Sequence, residues 1–247
     1  VLAHNRQMSD VFRNCGFTAQ KRRTEGGVER VLLDITPTPA YQEHAADRSE
    51  KAAFASMRRL FEPDVVAVIG ASAERGKLGA EILHNLRARF RGAVVPVNPK
   101  HGEVLGVPCY PRLTEVPGPV DLAVIVIPAA GVEAAVDDCV AKGVQGIVVI
   151  TAGFSEVGEE GRRRESALLE KVRAAGIRMV GPNCMGLVNT DPNICLDATF
   201  APVYPPEGRV ALSSQSGALG LALLDFADKL NLGISTFVSV GNKADVS

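Results

Sequence analysis

The body of the chain is a succession of short apolar, β-branched runs separated by amphipathic stretches. The runs are VVAVIGAS, GAVVPVNP, VDLAVIVIP, VQGIVVITAG and IRMVGPN, between Val65 and Asn183. Each is apolar continuously rather than alternately, so both of its faces must be covered. The stretches between them, such as GAEILHNLRARF and GVEAAVDDCVAKG, carry apolar residues at helical spacing. Strands alternating with helices predict a parallel sheet layered by helices on both sides. The expected fold is therefore a Rossmann-like, doubly wound α/β domain over residues 61–205, with its ligand beyond the carboxyl ends of the strands.

The flanks read differently. After the proline-rich APVYPPEG the pattern restarts with GRVALSSQSGALGLALLDFADKL and GISTFVSVGN, which predicts the opening of a second α/β domain over residues 206–247. Upstream, LAHNRQMSDVFRNCGF places Met8, Val11 and Phe12 on one helical face and stops at Gly16, and GGVERVLLDITP reads as a strand after a Gly-Gly turn. One helix and one strand cannot enclose a core, so residues 1–36 are expected to be the tail of a domain begun earlier. Residues 37–60 read as a polar, proline-marked linker followed by a short helix. That helix would be capped by Asp47 or Ser49, carry Phe54, Met57 and Phe61 on one face, and stop at Pro63. The chain has no initial methionine and stops just after an apolar run, which reads as a piece of a longer polypeptide.

Composition narrows the function. A net charge of -1, and no basic stripe interleaved with aromatics, give no sign of nucleic-acid binding. No apolar run reaches membrane-spanning length, and the polar start is no secretory signal. The five cysteines are scattered without C-x-x-C or zinc spacing, so no metal site is expected and a cytoplasmic chain with reduced thiols is the simplest reading.

The candidate chemistry lies at the strand ends. The turn after the first run carries Gly70, Ser72, Gly76, Lys77 and Gly79. It matches neither G-x-G-x-x-G nor the P-loop, yet it exposes backbone N–H groups at a helix start, where anionic phosphate is favoured. The second run ends in VPVNPKHG, with Asn98 and Lys100 where a NAD site usually has an acid. A lysine suits an extra phosphate, as in coenzyme A (CoA) or NADP. Ile127 and Pro128, Thr151, Ala152 and Gly153, and Asn183 with Cys184 end the next three runs, and these loops should meet along one edge of the sheet. In SSQSGALG, Ser214 and Ser216 open another helix suited to a phosphoryl group, and no histidine follows them to complete a hydrolase triad.

Taken in order, VAVIGAS, VPVNPKHGEVLGVPCYPRL, VDLAVIVIPA, ITAGFSE, GPNCMGLVN, SSQSGALG and SVGNKADVS resemble the CoA-binding part of NDP-forming acyl-CoA synthetases, the ADP-forming acetate–CoA ligases related to the succinyl-CoA synthetase alpha subunit. The resemblance covers the chain from Phe61 onward and implies a CoA-binding domain followed by a flavodoxin-like one. It implies that the Gly70–Gly79 turn and Lys100 hold the nucleotide end of CoA or acyl-CoA. Ile127, Pro128, Thr151–Gly153, Asn183 and Cys184 would line the path of the pantetheine arm, and Ser214 and Ser216 would lie where phosphate arrives. In this family a mobile histidine carries phosphate to ADP. No histidine follows His101 here, so the chain is expected to bind CoA without completing the ligase cycle, and ADP, ATP and magnesium would belong only to the full-length parent. The resemblance also implies a nucleotide-grasp domain or subunit as partner; homo-oligomerisation is a further expectation.

The first zone resembles the end of a GNAT-type acetyltransferase, on Asn5, Met8, Phe12, Gly16 and Phe17 and the strand VERVLLDI. This implies a fusion, and a second reading in which the CoA groove is a catalytically inactive sensor for a lysine acetyltransferase. An NADP-dependent oxidoreductase is the third reading.

Overall fold

The structure is a computed structural model that describes residues 7, 11, 18–24, 28–36 and 38–246. Contacts divide the chain into two compact units, residues 1–56 and 57–247.

In the first unit, β1 (Thr18–Thr24) and β2 (Val28–Asp34) form an antiparallel pair with Thr18 opposite Asp34 and Thr24 opposite Val28. The strand expected around VERVLLDI is present. Its partner TAQKRRT was not anticipated, because it has no apolar alternation. Asn5, Met8, Phe12, Gly16 and Phe17 of the expected first helix lie outside the described residues.

The expected linker is a correction. Residues Pro39–Phe61 form one helix, α1. Its N-cap is Thr38, whose Oγ1 accepts from Tyr41 N at 3.1 Å, and Pro39 stands first in the helix, where its fixed φ and missing N–H are favourable. Asp47 lies inside the helix, paired with Lys51 one turn on, and Ser49 is also interior. Pro39 thus starts a helix rather than preventing one.

The second unit is built on five parallel strands: β3 (Val65–Ile69), β4 (Ala93–Val97), β7 (Leu122–Ile125), β8 (Gly146–Val149) and β9 (Arg178–Val180). Each lies in one of the runs expected from the sequence. Two short antiparallel strands, β5 (Glu103–Val104) and β6 (Val107–Pro108), intervene. The order is β4-β3-β7-β8-β9, with helices α2 (Leu78–Arg89), α3 (Ala129–Lys142) and α4 (Glu159–Ala174) as crossovers. Burial follows the strand period on both faces. Val66, Val68, Leu122, Val124 and Val148 pack with Ile82, Leu83 and Leu86 of α2, and with Leu60 at the end of α1. Ala67, Ile69, Ala123, Ile125 and Ile147 pack with Val132 and Val136 of α3 and Leu168 and Val172 of α4. This is the doubly wound arrangement, and it places the reversal of strand order between β3 and β7, which run parallel.

A second sheet comprises β10 (Gly186–Asn189), β11 (Leu196–Thr199), β12 (Glu207–Ser214) and β13 (Ile234–Ser239), with α5 (Gly217–Lys229) joining the parallel pair β12 and β13. Its order is β11-β10-β13-β12. The expected restart after the proline-rich segment is thus a βαβ unit. β10 and β11, which precede residue 206, pair into the same sheet, and their Leu187, Leu196 and Ala198 belong to the core that covers the parallel strands. Beyond β13, residues 241–246 run back over β9. Val246 N donates to Met179 O at 3.2 Å, and the Asp245 carboxylate accepts from Met179 N at 3.0 Å and from Arg178 Nε at 2.8 Å.

Candidate functional site

The loops after β3, β4, β7, β8 and β9 converge on one edge of the sheet, where three adjoining cavities form a groove. The first, of ≈ 710 Å³, is lined by Gly70, Ser72, Lys77, Asn98, Lys100, Ile127 and Pro128, together with His101 and Arg112. The second, of ≈ 620 Å³, shares Gly70, Lys77, Ile127 and Pro128 with it and adds Gly76, Gly79, Thr151, Ala152, Asn183, Cys184 and Phe200. The third, of ≈ 660 Å³, shares Asn183, Cys184 and Phe200 with the second and runs on to Gln215, Ser216, Gly241 and Asn242. The groove therefore crosses the β3/β7 reversal and ends at the start of α5, as ligand sites in open α/β sheets do.

The first turn is shaped by glycine for two reasons. Gly70 has φ +96, and a Cβ there would meet the Val126 carbonyl. Gly79 lies at the start of α2 so close to the Gly70 carbonyl that a Cβ would overlap it. The chain thus folds tightly and leaves backbone rather than side chains on the groove wall. Lys77, just before α2, pairs with Glu74, and Ser72 Oγ accepts from Glu74 N at 3.0 Å.

At the far end of this wall, Asn98 braces the loop. Its Nδ2 donates to Ala71 O at 2.8 Å and its Oδ1 accepts from Lys100 N at 2.9 Å. Arg112 is held by a two-point ion pair with Asp138 of α3, Nε to Oδ2 being 3.1 Å. Lys77, Lys100 and Arg112 all line the cavity, and Lys100 alone of the three has no carboxylate partner among the described residues. The net charge at this end is thus positive, which suits a phosphorylated group.

The middle of the groove is largely apolar. Thr151 Oγ1 donates to Ile127 O at 2.7 Å, tying the ends of β7 and β8 together. Cys184 forms part of the floor, but it is a buried residue whose Sγ donates to Val149 O at 3.3 Å. Burial pushes its thiol up to about 12, so it is no thiolate nucleophile. Gly153 does not line the groove: its N–H faces the Glu156 carboxylate behind the loop.

At the other end, Ser216 caps α5 and its Oγ accepts from Leu219 N at 3.3 Å. Ser214 is turned away, its hydroxyl donating to Ser216 O at 2.8 Å, and it does not line the groove. Gln215 stands there instead. Sequence reasoning missed Gln215, Phe200, Arg112, His101, Gly241 and Asn242. Arg112 and Gln215 lie within the motifs that carry the family resemblance and could have been found there, whereas Phe200 reaches the groove only through the pairing of β10 and β11.

The residues fit a long anionic ligand with an apolar arm: cations at one end, a tight glycine turn that leaves backbone on the wall, and a helix N-terminus at the other end. Residues 64–190 match the family model for the CoA binding domain. The chain belongs to the CoA-binding domain family. Residues 207–247 match the succinyl-CoA ligase like flavodoxin domain. Over 188 residues the chain is 52% identical to acetate–CoA ligase (ADP-forming) I of Archaeoglobus fulgidus, a match that covers 76% of this chain and 27% of that one. Over 186 residues it is 48% identical to the alpha subunit of acetate–CoA ligase (ADP-forming) II of Pyrococcus furiosus, covering 75% and 40%. Among solved structures, the dinucleotide forming acetyl-coenzyme A synthetase 1 of Ca. Korarchaeum cryptofilum, in complex with phosphate and ADP, superposes with a TM-score of 0.73 and 44% identity over 77% of this chain and 40% of that one. The chain thus spans less than half the length of these relatives. The CoA-binding domain takes CoA or an acyl-CoA as its ligand. Among the described residues no helix is long and apolar enough to cross a membrane, and no cluster of His, Cys, Asp and Glu could hold a metal ion.

Proposed function

We propose that this chain is the CoA-positioning part of an ADP-forming acyl-CoA synthetase, which interconverts acyl-CoA, ADP and phosphate with free acid, CoA and ATP. The observation that carries the reading is the continuous groove from Lys100 to Ser216. Lys77, Lys100 and the Gly70–Gly79 turn would take the nucleotide end. Ile127, Pro128, Thr151, Ala152 and Asn183 would guide the pantetheine arm. The thiol would emerge where Ser216 and Gln215 present the positive end of α5 to an acyl phosphate. Holding thiol and acyl donor in register lowers the barrier without any residue becoming covalently bound, an effect of roughly 7–11 kcal/mol at best. Phosphate transfer to ADP would rest on a nucleotide-grasp domain or partner subunit with its own magnesium, and the setting would be cytoplasmic.

The test is calorimetric titration with CoA, with NADP+ as the competitor. Micromolar CoA binding and weak NADP+ binding are expected; tighter NADP+ binding would overturn the reading.

We also propose that the β1–β2 hairpin ends a GNAT-like acetyltransferase domain, which the antiparallel pairing of Thr18–Thr24 with Val28–Asp34 supports. In that architecture the groove would report CoA thioester levels to the acetyltransferase. Assaying acetyl transfer to lysine by the natural polypeptide that carries these residues tests it, and phosphate labelling by ATP separates a ligase from a sensor.

A further inference from the structure

The thiol end of the groove is backed by a polar cluster that no motif reading revealed. Asn242, in the loop after β13, donates through Nδ2 to Glu156 Oε2 at 2.6 Å and to Glu165 Oε2 at 2.8 Å. Its Oδ1 accepts from Asn183 Nδ2 at 3.3 Å, and its backbone N–H donates to Pro182 O at 2.9 Å. The two carboxylates in turn grip the loop after β8. Glu156 Oε1 accepts from Gly153 N and from Phe154 N, the latter at 3.1 Å, and Glu165 Oε2 accepts from Ser155 N at 3.2 Å. Arg164 donates to Gly153 O at 2.9 Å on the same loop.

One amide therefore joins three segments: the β8 loop carrying Thr151 and Ala152, the β9 loop carrying Asn183, and the β13 loop beside Ser216. The approach is close enough that a Cβ at Gly241, which has φ +55, would overlap the carbonyls of Pro182 and Asn183. An amide is the side chain that suits this position. It offers two N–H donors to two carboxylates and an acceptor to Asn183, and it carries no charge of its own. Burial alone would raise the Glu156 carboxyl, but the bonds from Asn242, Gly153 and Phe154 outweigh it and hold Glu156 below the usual carboxylate range.

We propose that Asn242 is a positioning residue for the thiol end of the ligand: it fixes the β8 and β9 loops against the start of α5, so that the pantetheine arm meets a preformed channel. The inference rests on the CoA reading of the groove. Its reach is local, because Lys100 and Arg112 line the opposite end and make none of these bonds.

The test compares two ligands in calorimetry: CoA, which occupies the whole groove, and adenosine 3′,5′-bisphosphate, which carries only the nucleotide end. Asn242→Asp replaces the joining amide with a third carboxylate, and like charges at short range repel. CoA binding is expected to weaken roughly fivefold or more, the partial exposure of Glu156 limiting the loss, while the bisphosphate changes less than about twofold. Asn242→Ser adds no charge, keeps one donor, and is expected to show the same split at roughly threefold. It serves as the deciding variant if Asn242→Asp does not fold. Equal affinity of the variants and the wild type for CoA would overturn the proposal, and so would a parallel loss of both ligands. Failure of the wild type to bind CoA would instead remove the reading of the groove on which the proposal rests.

Discussion

Asn98 and Ala71 join the ends of β4 and β3: the Asn98 amide, on the wall of the first cavity, donates to the Ala71 carbonyl at 2.8 Å. The same side chain receives the Lys100 N–H, so it also fixes the backbone that carries the Lys100 cation. Asn98→Ala is expected to cost about 1–3 kcal/mol of stability, because the partly buried Ala71 carbonyl and the exposed Lys100 N–H both lose their partner. It should also weaken CoA binding; chemical denaturation and calorimetry on the same samples check both.

Lys100→Glu is expected to leave the thermal transition nearly unchanged, since Lys100 is exposed and makes no ion pair among the described residues. CoA affinity should fall roughly tenfold or more, with a loss that shrinks at high salt. Calorimetry at two ionic strengths reads both effects, and an unchanged affinity would place Lys100 outside the site.

The glycines of the first turn should separate by cause. Gly76 has φ +87 with open space around it, so Gly76→Ala is expected to cost only about 1–2 kcal/mol of backbone strain. Gly79 meets the Gly70 carbonyl, which cannot yield without moving the turn, so Gly79→Ala is expected to cost about 3 kcal/mol or more and to abolish CoA binding. Denaturant midpoints of the two variants give the comparison.

Asp197 on β11 is a buried carboxyl hydrogen-bonded to Thr199 Oγ1 at 2.7 Å, and burial pushes it up to about 7 despite the nearby Arg89 charge. The folded state therefore holds this proton more tightly than the unfolded chain, whose carboxyl titrates near its ordinary value of 3.8. Its contribution is fully present below that value and is lost as pH rises toward 7, at up to about 1.4 kcal/mol per pH unit. Asp197→Asn should remove this dependence. The difference in melting temperature between wild type and variant should thus shift in favour of the variant between about pH 4 and 7, and level off above it.

Cys184, with its thiol pushed up to about 12 by burial, is expected to resist alkylation by iodoacetamide in the folded protein at mildly alkaline pH and to react only in denaturant. Peptide mass mapping before and after unfolding checks this, and rapid labelling of the folded chain would show that the groove floor opens.

The parallel sheet was legible because its strands are buried on both faces, which leaves continuous apolar runs with turn residues at their ends. Gly70, Lys100, Ile127, Thr151 and Asn183 could be placed on the groove wall for the same reason: a residue just past the end of a parallel strand is placed by topology alone. β10 and β11 were not legible. They are four residues each, and their sheet is completed by β13, far along the chain, a pairing that no local pattern announces. Ser214 illustrates a second failure, since a hydroxyl in a loop motif can be spent within its own turn. The TPTP segment illustrates a third, where proline marks a helix start rather than a break.

The segment that returns across β9 also bears on how the molecule behaves in concentrated solution. A parallel sheet with an uncovered outer strand invites a neighbouring polypeptide to zip onto it. Here the Met179 amide and carbonyl are already taken by Asp245 and Val246, so that border offers no template for fibril growth. Asp245→Ala, which frees the Met179 amide, should therefore lower colloidal solubility.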